Sequence, residues 1–144
     1  MQQYETSRLV KGEDLNHHGT LFAARAAGWL IEAAFVAAGC ACGTSEGIVC
    51  RNLQNMSFQK PVQKGTIVRF LARVAAVGTS SFTVMVRAED ALLPTVYMEG
   101  AVIFVTIDGK TGRGRAHHIV LDEAEDEAER EQRALADWLR AQKI

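Results

Sequence analysis

The stretch TLFAARAAGWLIEAAFVAA, residues 20–38, decides the architecture of this chain because it is apolar on nearly every face once it is wound as a helix. Such a helix should be covered on nearly every face. The sequence therefore predicts a buried helix over residues 20–38, with Gly39 as its C-terminal cap. Arg25 and Glu32 interrupt the stretch, which makes it too polar for a membrane span.

The segments around this helix have the patterns of β-strands. In residues 82–89, Phe, Val, Val and Ala alternate with Thr, Met, Arg and Glu, which is the period of two of a half-buried strand. The sequence GTSS at 78–81 has the composition of a hairpin turn. One strand, a buried helix and an antiparallel meander make up an α+β fold. The predicted strands cover residues 6–11, 48–58, 66–77, 81–89 and 96–108.

The C-terminal part of the chain predicts a second helix, over residues 122–143. Its acidic residues come early and its basic residues come late, which is the arrangement that the helix dipole favours. Its apolar residues recur on one stripe, as in a solvated helix that packs on a sheet or on a partner copy.

Length, charge and cysteine content limit the function classes. With 144 residues and 48% hydrophobic side chains, residues 1–144 form one domain with its own core. Sixteen Lys and Arg against seventeen Asp and Glu lack the basic excess of nucleic-acid binding. The N-terminal residues have no signal-peptide pattern, which predicts a cytoplasmic protein without a membrane partner. The three cysteines Cys40, Cys42 and Cys50 are predicted to be reduced thiols.

The two charges on the predicted buried helix require an explanation, because burial of a charge is costly. Arg25 and Glu32 are seven residues apart and so share one face, with Gly28 and Trp29 between them. In one interpretation, both side chains pair with neighbouring groups or reach water at the end of the sheet. In the other, Glu32 faces a narrow cavity in which burial suits a carboxyl group to general-base work.

The residues Asn16-His17-His18-Gly19 come directly before the predicted helix. Free backbone N–H groups at a helix start stabilise a developing oxyanion, and Gly19 would admit close approach. Asn16 is either part of such a site or only a helix cap. Adjacent side chains diverge, so at least one of the two histidines should face solvent. No carboxylate or cysteine lies at ligand spacing beside them, and no metal site is predicted.

Two stretches of this region resemble the signature of the hotdog-fold acyl-CoA thioesterases. They are LVKGEDLNHHGTLF at 9–22 and WLIEAA at 29–34, with an acidic residue, Asn, Gly and Phe ahead of a Trp and a carboxylate. The sequences FQKPV at 58–62 and VGTSS at 77–81 are similar to later landmarks of that family. The resemblance covers nearly the whole chain. It implies a hotdog fold, in which an antiparallel sheet wraps around a long central helix, here with an extra C-terminal helix.

The resemblance also implies a function and a site. It implies hydrolysis of an acyl-CoA, with coenzyme A as part of the substrate and no separate cofactor. Glu32 would be the general base or the nucleophile, Asn16 would orient water or the carbonyl group, and the N–H of Gly19 at the helix start would bind the oxyanion. In the family's hydrolases the catalytic aspartate aligns with Ile31, the neighbour of Glu32. A homodimer or dimer of dimers (homotetramer) is implied, in which Asn16 and Glu32 of one site come from different protomers.

Coenzyme A, by the same resemblance, would lie along the sheet edge. Its candidate binding residues are Arg51, Lys60, Arg69, Gly78, Thr79, Ser80 and Ser81. The three basic residues are alternatively solvated charges on strand surfaces.

Two other hypotheses stay open at the sequence level. His18 and Glu32 are fourteen positions apart, which is the spacing of catalytic residues in hotdog 3-hydroxyacyl-thioester dehydratases. Ile31, in place of the aspartate, suggests instead a non-catalytic acyl-CoA-binding protein.

Overall fold

The sheet of this protein has five strands, each antiparallel to its neighbours. The structure is a computed structural model, and it describes residues 1–142. The order across the sheet is β1-β3-β4-β5-β2, so β1 and β2 are the edge strands. The predicted strands are all present, and their ends lie within two residues of the prediction. The strands are β1 (Tyr4–Leu9), β2 (Ile48–Phe58), β3 (Ile67–Val77), β4 (Ser81–Asp90) and β5 (Val96–Thr106).

The central helix, α1, spans Ala23–Cys42 and has Phe22 as its N-cap residue. The prediction that Gly39 ends it is wrong, because the helix continues through Gly39 for three more residues. It ends before Gly43, whose φ of 75° lies in the left-handed region that a glycine adopts without steric cost. The helix also begins three residues later than predicted, because residues 16–20 form a turn of their own.

Only one side of α1 is buried in the protomer. Leu30, Ala34 and Ala38 are fully covered by the sheet, whereas Phe22 and Glu32 are more than half exposed. The prediction that nearly every face is covered is therefore wrong for a single protomer, since the sheet wraps one side of the helix. With 20 residues and an 18-residue window of mean hydropathy 1.3, α1 is long and apolar enough to cross a membrane by length and composition alone, but its inward side forms part of the protein core.

Aromatic side chains fill the space between α1 and the sheet. Phe70, Phe82 and Phe104 come from three adjacent strands and are almost completely buried. Phe35 of α1 meets Phe104 edge-on, with ring centroids 4.8 Å apart. Full burial of each such side chain stabilises the fold by roughly 1.5–3 kcal/mol. The inner face of the sheet is thus a firm support for α1.

The second helix, α2, spans Glu127–Ala141 and covers the opposite, outer face of the sheet. Ala136 and Leu139 pack on Ala75 and Met85, which point away from α1. Of the two predicted positions for this helix, packing on the sheet is the observed one. The helix begins later than predicted because the side chain of Asp126 caps it, accepting from the Glu129 N–H at 2.8 Å. The last predicted helical residue, 143, lies outside the described residues.

A buried carboxylate fastens α2 to the rest of the chain. Glu129, which is 1% exposed, accepts hydrogen bonds from the Met1 ammonium (2.8 Å), the Glu125 N–H (2.8 Å) and Arg133 (3.0 Å). Burial opposes the charge on this group, but these donors outweigh that effect and lower the pKa of Glu129 to about 2. Glu129 is therefore ionised at neutral pH.

Candidate active site

Asn16 organises a tight turn ahead of α1, over residues 16–20, which we call the Asn16 turn. Its Oδ1 accepts hydrogen bonds from the backbone N–H of His18 (2.9 Å) and of Thr20 (3.2 Å). Its Nδ2 is 3.2 Å from the Thr20 hydroxyl oxygen. The interpretation of Asn16 as a helix cap is wrong, because Phe22 is the N-cap residue and no side chain caps the helix start.

The Asn16 turn also determines what Gly19 can do. Gly19 has a φ of 82°, and its N–H already donates to the Asn16 carbonyl oxygen at 3.1 Å. It does not stand at the helix start, as the sequence predicted. The free N–H groups of that start belong to Ala23 and the two residues after it, because the first N–H groups of an α-helix have no intrahelical acceptor.

A pocket of about 210 Å³ opens at this helix start, and we call it the α1 pocket. Most of its wall is apolar, and Asn16, Gln59 and Lys60 supply the polar groups. The Asn16 turn is held against the segment after β2 by the hydrogen bond from the Leu21 N–H to the Val62 carbonyl oxygen at 2.9 Å. The lining residues are Asn16, Leu21, Ala23, Ala26, Phe58, Gln59, Lys60, Pro61, Val62 and Met98.

The α1 pocket brings together two of the predicted site residues, Asn16 and Lys60, which are far apart in the sequence. Met98 and Phe58 are pocket residues that were not predicted. Phe58 belongs to the landmark FQKPV at 58–62, which was the one available signal. Met98 pairs with Phe58 across β2 and β5, and that pairing has no local sequence signal.

Glu32 lies outside the α1 pocket of its own protomer. Nine residues separate it from Ala23, which corresponds to about 13 Å along the helix axis. Its side chain is 62% exposed, and its Oε1 is 2.5 Å from Nη2 of Arg8. The guanidinium carbon of Arg8 in turn lies 5.3 Å from the centroid of the Trp29 ring. Within residues 1–142 of one protomer, Glu32 therefore borders no narrow cavity of the expected kind.

The pairing interpretation of the two helix charges is the correct one for the protomer. Arg25 lies 3.4 Å from the buried carboxylate of Asp14, and Glu32 is paired with Arg8. Glu32 also borders an open groove of about 580 Å³, which we call the Glu32 groove. Phe35, Val36 and Cys40 give this groove an apolar floor at the protein surface.

The two histidines of the Asn16 turn are both exposed, and their ring centroids are 3.9 Å apart. Glu32 has Arg8 as its ionic partner, so the protomer does not bring His18 and Glu32 together. Within residues 1–142, no group of three or more His, Cys, Asp or Glu side chains is placed to hold a metal ion. Cys40, Cys42 and Cys50 are free thiols, and burial raises the pKa of Cys42 and Cys50.

The predicted coenzyme A residues separate into three places. Lys60 lines the α1 pocket, whereas Arg51 and Ser81 line a groove on the outer face of the sheet. Arg69 forms ion pairs with Glu89 and with Glu5, which fits a paired charge on a strand surface.

The hairpin at 78–81 is closed by the Gly78 N–H, which donates to the Ser81 carbonyl oxygen at 2.7 Å. The carbonyl oxygens of Thr79 and Ser80 accept from His117 and Thr106. His117 Nε2 also lies 2.9 Å from the Ser81 carbonyl oxygen. No pattern in the sequence indicates this contact of His117 with the hairpin.

The model of the thioesterase superfamily matches residues 18–92, which is more than half of the chain and includes α1 and most of the residues that line the α1 pocket. This chain belongs to the thioesterase superfamily. The predicted family, its hotdog fold and the predicted enzyme class of thioester hydrolase are thereby confirmed. A comparison with curated proteins gives no match.

Solved structures of thioesterases have the same fold. An acyl-CoA hydrolase from Staphylococcus aureus, solved in complex with butyryl coenzyme A, coenzyme A and coenzyme A disulfide, is 25% identical. Its TM-score is 0.79, and the alignment covers 96% of this chain and 85% of that one. An acyl-CoA hydrolase from Bacillus cereus is 21% identical, with a TM-score of 0.86 and coverage of 98% and 85%. A hexameric thioesterase from Yersinia pestis is also 21% identical, with a TM-score of 0.69 and coverage of 83% and 94%.

Proposed function

We propose that this member of the thioesterase superfamily hydrolyses an acyl-CoA to a free acid and coenzyme A. The observation that carries the proposal is the α1 pocket, in which an apolar wall meets the uncapped start of a helix. The similar Staphylococcus aureus hydrolase, which was solved with butyryl coenzyme A, supports this class of substrate.

The α1 pocket suits a thioester in two respects. Leu21, Phe58 and Met98 offer an apolar surface for the acyl chain. The thioester oxygen would lie at the N–H of Ala23, where the helix dipole stabilises the negative charge that develops as water attacks. This N–H takes the role that the resemblance implied for the N–H of Gly19. Asn16 would orient the water or the carbonyl group.

The volume of the pocket limits the acyl chain. Its 210 Å³ are small beside the roughly 300–1,000 Å³ of pockets that hold drug-sized ligands. We therefore expect a short acyl group, and kcat/KM should fall when a chain no longer fits.

The general base in this proposal is Glu32 of the partner subunit. It would take a proton from water as the oxygen of that water bonds to the carbonyl carbon. The tetrahedral intermediate would then collapse with cleavage of the C–S bond, and the thiolate of coenzyme A would leave and take up a proton. Because Glu32 is about 13 Å along α1 from the α1 pocket of its own protomer, the site needs at least two copies of the chain.

Spacing places the expected base beside Glu32 and not on it. Solved variants of the Staphylococcus aureus hydrolase replace an asparagine and an aspartate that are fifteen positions apart. Fifteen positions after Asn16 stands Ile31, which cannot transfer a proton. The adjacent Glu32 is exposed, so its carboxylate is available to a second copy.

A dimer or dimer of dimers stays our proposal for the assembly. The exposed side of α1 carries Phe22 and Val36, which are 52% and 41% exposed and suit contact with another copy. A hexamer, as in the Yersinia pestis thioesterase, would contain the same pairs of protomers if it is built from three dimers.

The test is release of free coenzyme A from butyryl-CoA by the wild type, Glu32→Gln and the matched control Glu13→Gln, which changes another exposed, ion-paired glutamate. We expect the rate to fall by about a hundredfold or more in Glu32→Gln and to stay the same in Glu13→Gln. Equal rates in all three proteins would remove Glu32 from the mechanism. Tight binding of coenzyme A without turnover in the wild type would favour the non-catalytic hypothesis.

A further inference from the structure

The outer face of the sheet is only partly covered by α2, which packs mainly on β3 and β4. Along its open flank the helix borders two cavities, of about 660 Å³ and 230 Å³, whose other walls come from β2, β4 and β5. Leu139 lines the larger cavity and Leu135, one helical turn earlier, lines the smaller one. The two cavities therefore follow each other along the helix, and together we call them the α2 groove.

The side of α2 next to this groove carries side chains that the protomer leaves uncovered. Ala128, Glu131, Leu135 and Trp138 are three or four positions apart, so they lie on one side of the helix. The side chain of Trp138 is 58% exposed and that of Leu135 is 37% exposed. Tryptophan is enriched among the residues that dominate binding between proteins. This side of α2 therefore has the composition of a contact surface.

Charges of opposite sign occupy the two ends of the α2 groove. Arg51 and Arg140 line the end near the hairpin at 78–81, whereas Glu99 and Glu131 line the other end. Arg87 also lines that other end, but it is paired with Glu99 at 3.6 Å. Among the described residues, Arg51, Arg140 and Glu131 have no group of opposite charge within ion-pair distance. The uncompensated charge is thus positive at one end and negative at the other.

A twofold axis beside Leu135 brings these opposite ends together. In a twofold contact, residue i of one copy meets residue j of the other, and j meets i. Glu131 and Arg140 are nine residues apart, or about 13 Å along α2, and the midpoint between them is next to Leu135. Two antiparallel α2 helices that meet there place a glutamate opposite an arginine twice. A parallel pair would place like charges together, which costs affinity.

The same axis places Trp138 against the smaller cavity of the other copy. Rotation about the midpoint puts position 138 opposite position 133, one residue from Gln132 and two from Leu135, which both line that cavity. The indole ring would there leave water for an apolar wall that includes Met85. An aromatic anchor at the centre and charges at the rim are the usual anatomy of a protein interface.

We propose that the α2 groove binds α2 of a second copy of this chain, antiparallel and across a twofold axis beside Leu135. Leu135 and Trp138 form the apolar centre, and Glu131 faces Arg140 of the partner subunit. The contact lies on the opposite face of the sheet from the α1 pocket and does not rest on the proposed function. Together with the contact on the α1 side, it joins dimers into a closed assembly, either a tetramer or a hexamer according to the angle between the two axes.

The test is the mass of the full chain in solution, measured by sedimentation over a range of concentrations. We expect the wild type to be larger than a dimer and Trp138→Ser to dissociate into dimers, with the dissociation constant of the α2 contact raised by at least about thirtyfold. Trp138 is exposed in the protomer, so its replacement should leave the circular dichroism unchanged. The matched control Leu92→Ser removes a side chain that is 78% exposed after β4, and it should sediment like the wild type.

A charge exchange tests the antiparallel arrangement. Glu131→Arg and Arg140→Glu each place like charges opposite one another and should weaken the α2 contact by about tenfold or more. The double variant places opposite charges together again and should recover most of the assembly. Neutral substitutions at these two positions should change little, because an exposed ion pair contributes little to stability. The control is Asp137→Arg, on the other flank of α2, which should sediment like the wild type.

The outcomes separate this contact from the proposed function. Equal mass of the wild type and Trp138→Ser at every concentration, or a double variant as dissociated as the two single ones, would overturn the proposal. If Trp138→Ser yields monomers instead of dimers, the α2 contact stands and the contact on the α1 side is refuted. Release of coenzyme A per chain should be the same in Trp138→Ser as in the wild type, because the α2 groove is remote from the α1 pocket. A wild type without activity would refute the proposed function and leave the sedimentation result as it is.

Discussion

The separation of Glu32 from the α1 pocket predicts that two inactive variants restore each other when they share a dimer. Asn16→Ala removes the amide of the pocket, and Glu32→Gln removes the base at constant size. Hydrogen-bond reach is about 3 Å, but Glu32 is about 13 Å along α1 from Ala23. A protomer therefore cannot supply its own base, and each variant alone should lose activity by about a hundredfold or more.

The expected recovery follows from counting sites. When equal amounts of the two variants exchange subunits at random, half of the dimers are hybrids. Each hybrid has one site that combines an intact Asn16 with an intact Glu32, and one site that lacks both. The mixture should therefore regain roughly a quarter of the wild-type activity.

The assay compares release of coenzyme A before and after the subunits are exchanged by partial unfolding and refolding. Each variant taken alone through the same treatment is the control, and mass spectrometry of the intact dimer establishes that hybrids have formed. If hybrids form and activity stays at the level of the single variants, the site lies within one protomer and the reasoning fails. Circular dichroism of Asn16→Ala checks that loss of the Asn16 turn has not unfolded the chain.

Four further predictions concern stability and specificity. Glu129→Gln should lower the free energy of unfolding by about 3 kcal/mol in chemical denaturation, whereas Glu131→Gln on the exposed side of α2 should not. Because the folded-state pKa of Glu129 is lowered, the stabilisation by Glu129 is complete above about pH 4.5 and is lost as the pH falls towards about 2, which thermal unfolding across that range measures. Gly43→Ala should lower the free energy of unfolding by about 1 kcal/mol, and Gly39→Ala should not, because only Gly43 of these two has a positive φ. Equal changes in the two variants would contradict the observed end of α1. Lengthening the acyl chain beyond butyryl by several carbons should reduce kcat/KM by about tenfold, and equal values for long chains would show that the α1 pocket does not bind the acyl group.

The sequence was sufficient for the strands and for the existence of α1. In β4, Val84 and Val86 are buried against α1 as the alternation predicts. The strand is not half-buried as predicted, because Met85 on its other face is covered by α2. It was not sufficient for the end of α1, because both Gly39 and Gly43 are acceptable caps by composition. Only the course of the chain after Cys42 decides between them.

The site was predictable in its residue types but not in its arrangement. Asn16 and Lys60 meet because the Asn16 turn packs against the segment after β2, and this contact has no local pattern. The burial of Glu32 could not be judged from the helix alone, because it depends on what covers the outer side of α1. Arg51 and Ser81 share a groove on the outer face of the sheet with Arg140 of α2, a neighbour that no sequence pattern predicts.

The open position of Glu32 beside the apolar Glu32 groove has a consequence for how this protein would be controlled. If the base and the pocket meet only between copies, the fraction of active sites equals the fraction of the chain that is dimeric. Dilution below the dimer dissociation constant would then remove most of the activity. A dissociated protomer would keep Glu32 paired with Arg8, on a surface without a thioester beside it. Specific activity would then depend on protein concentration, so the expression level of the protein would determine the turnover rate per chain.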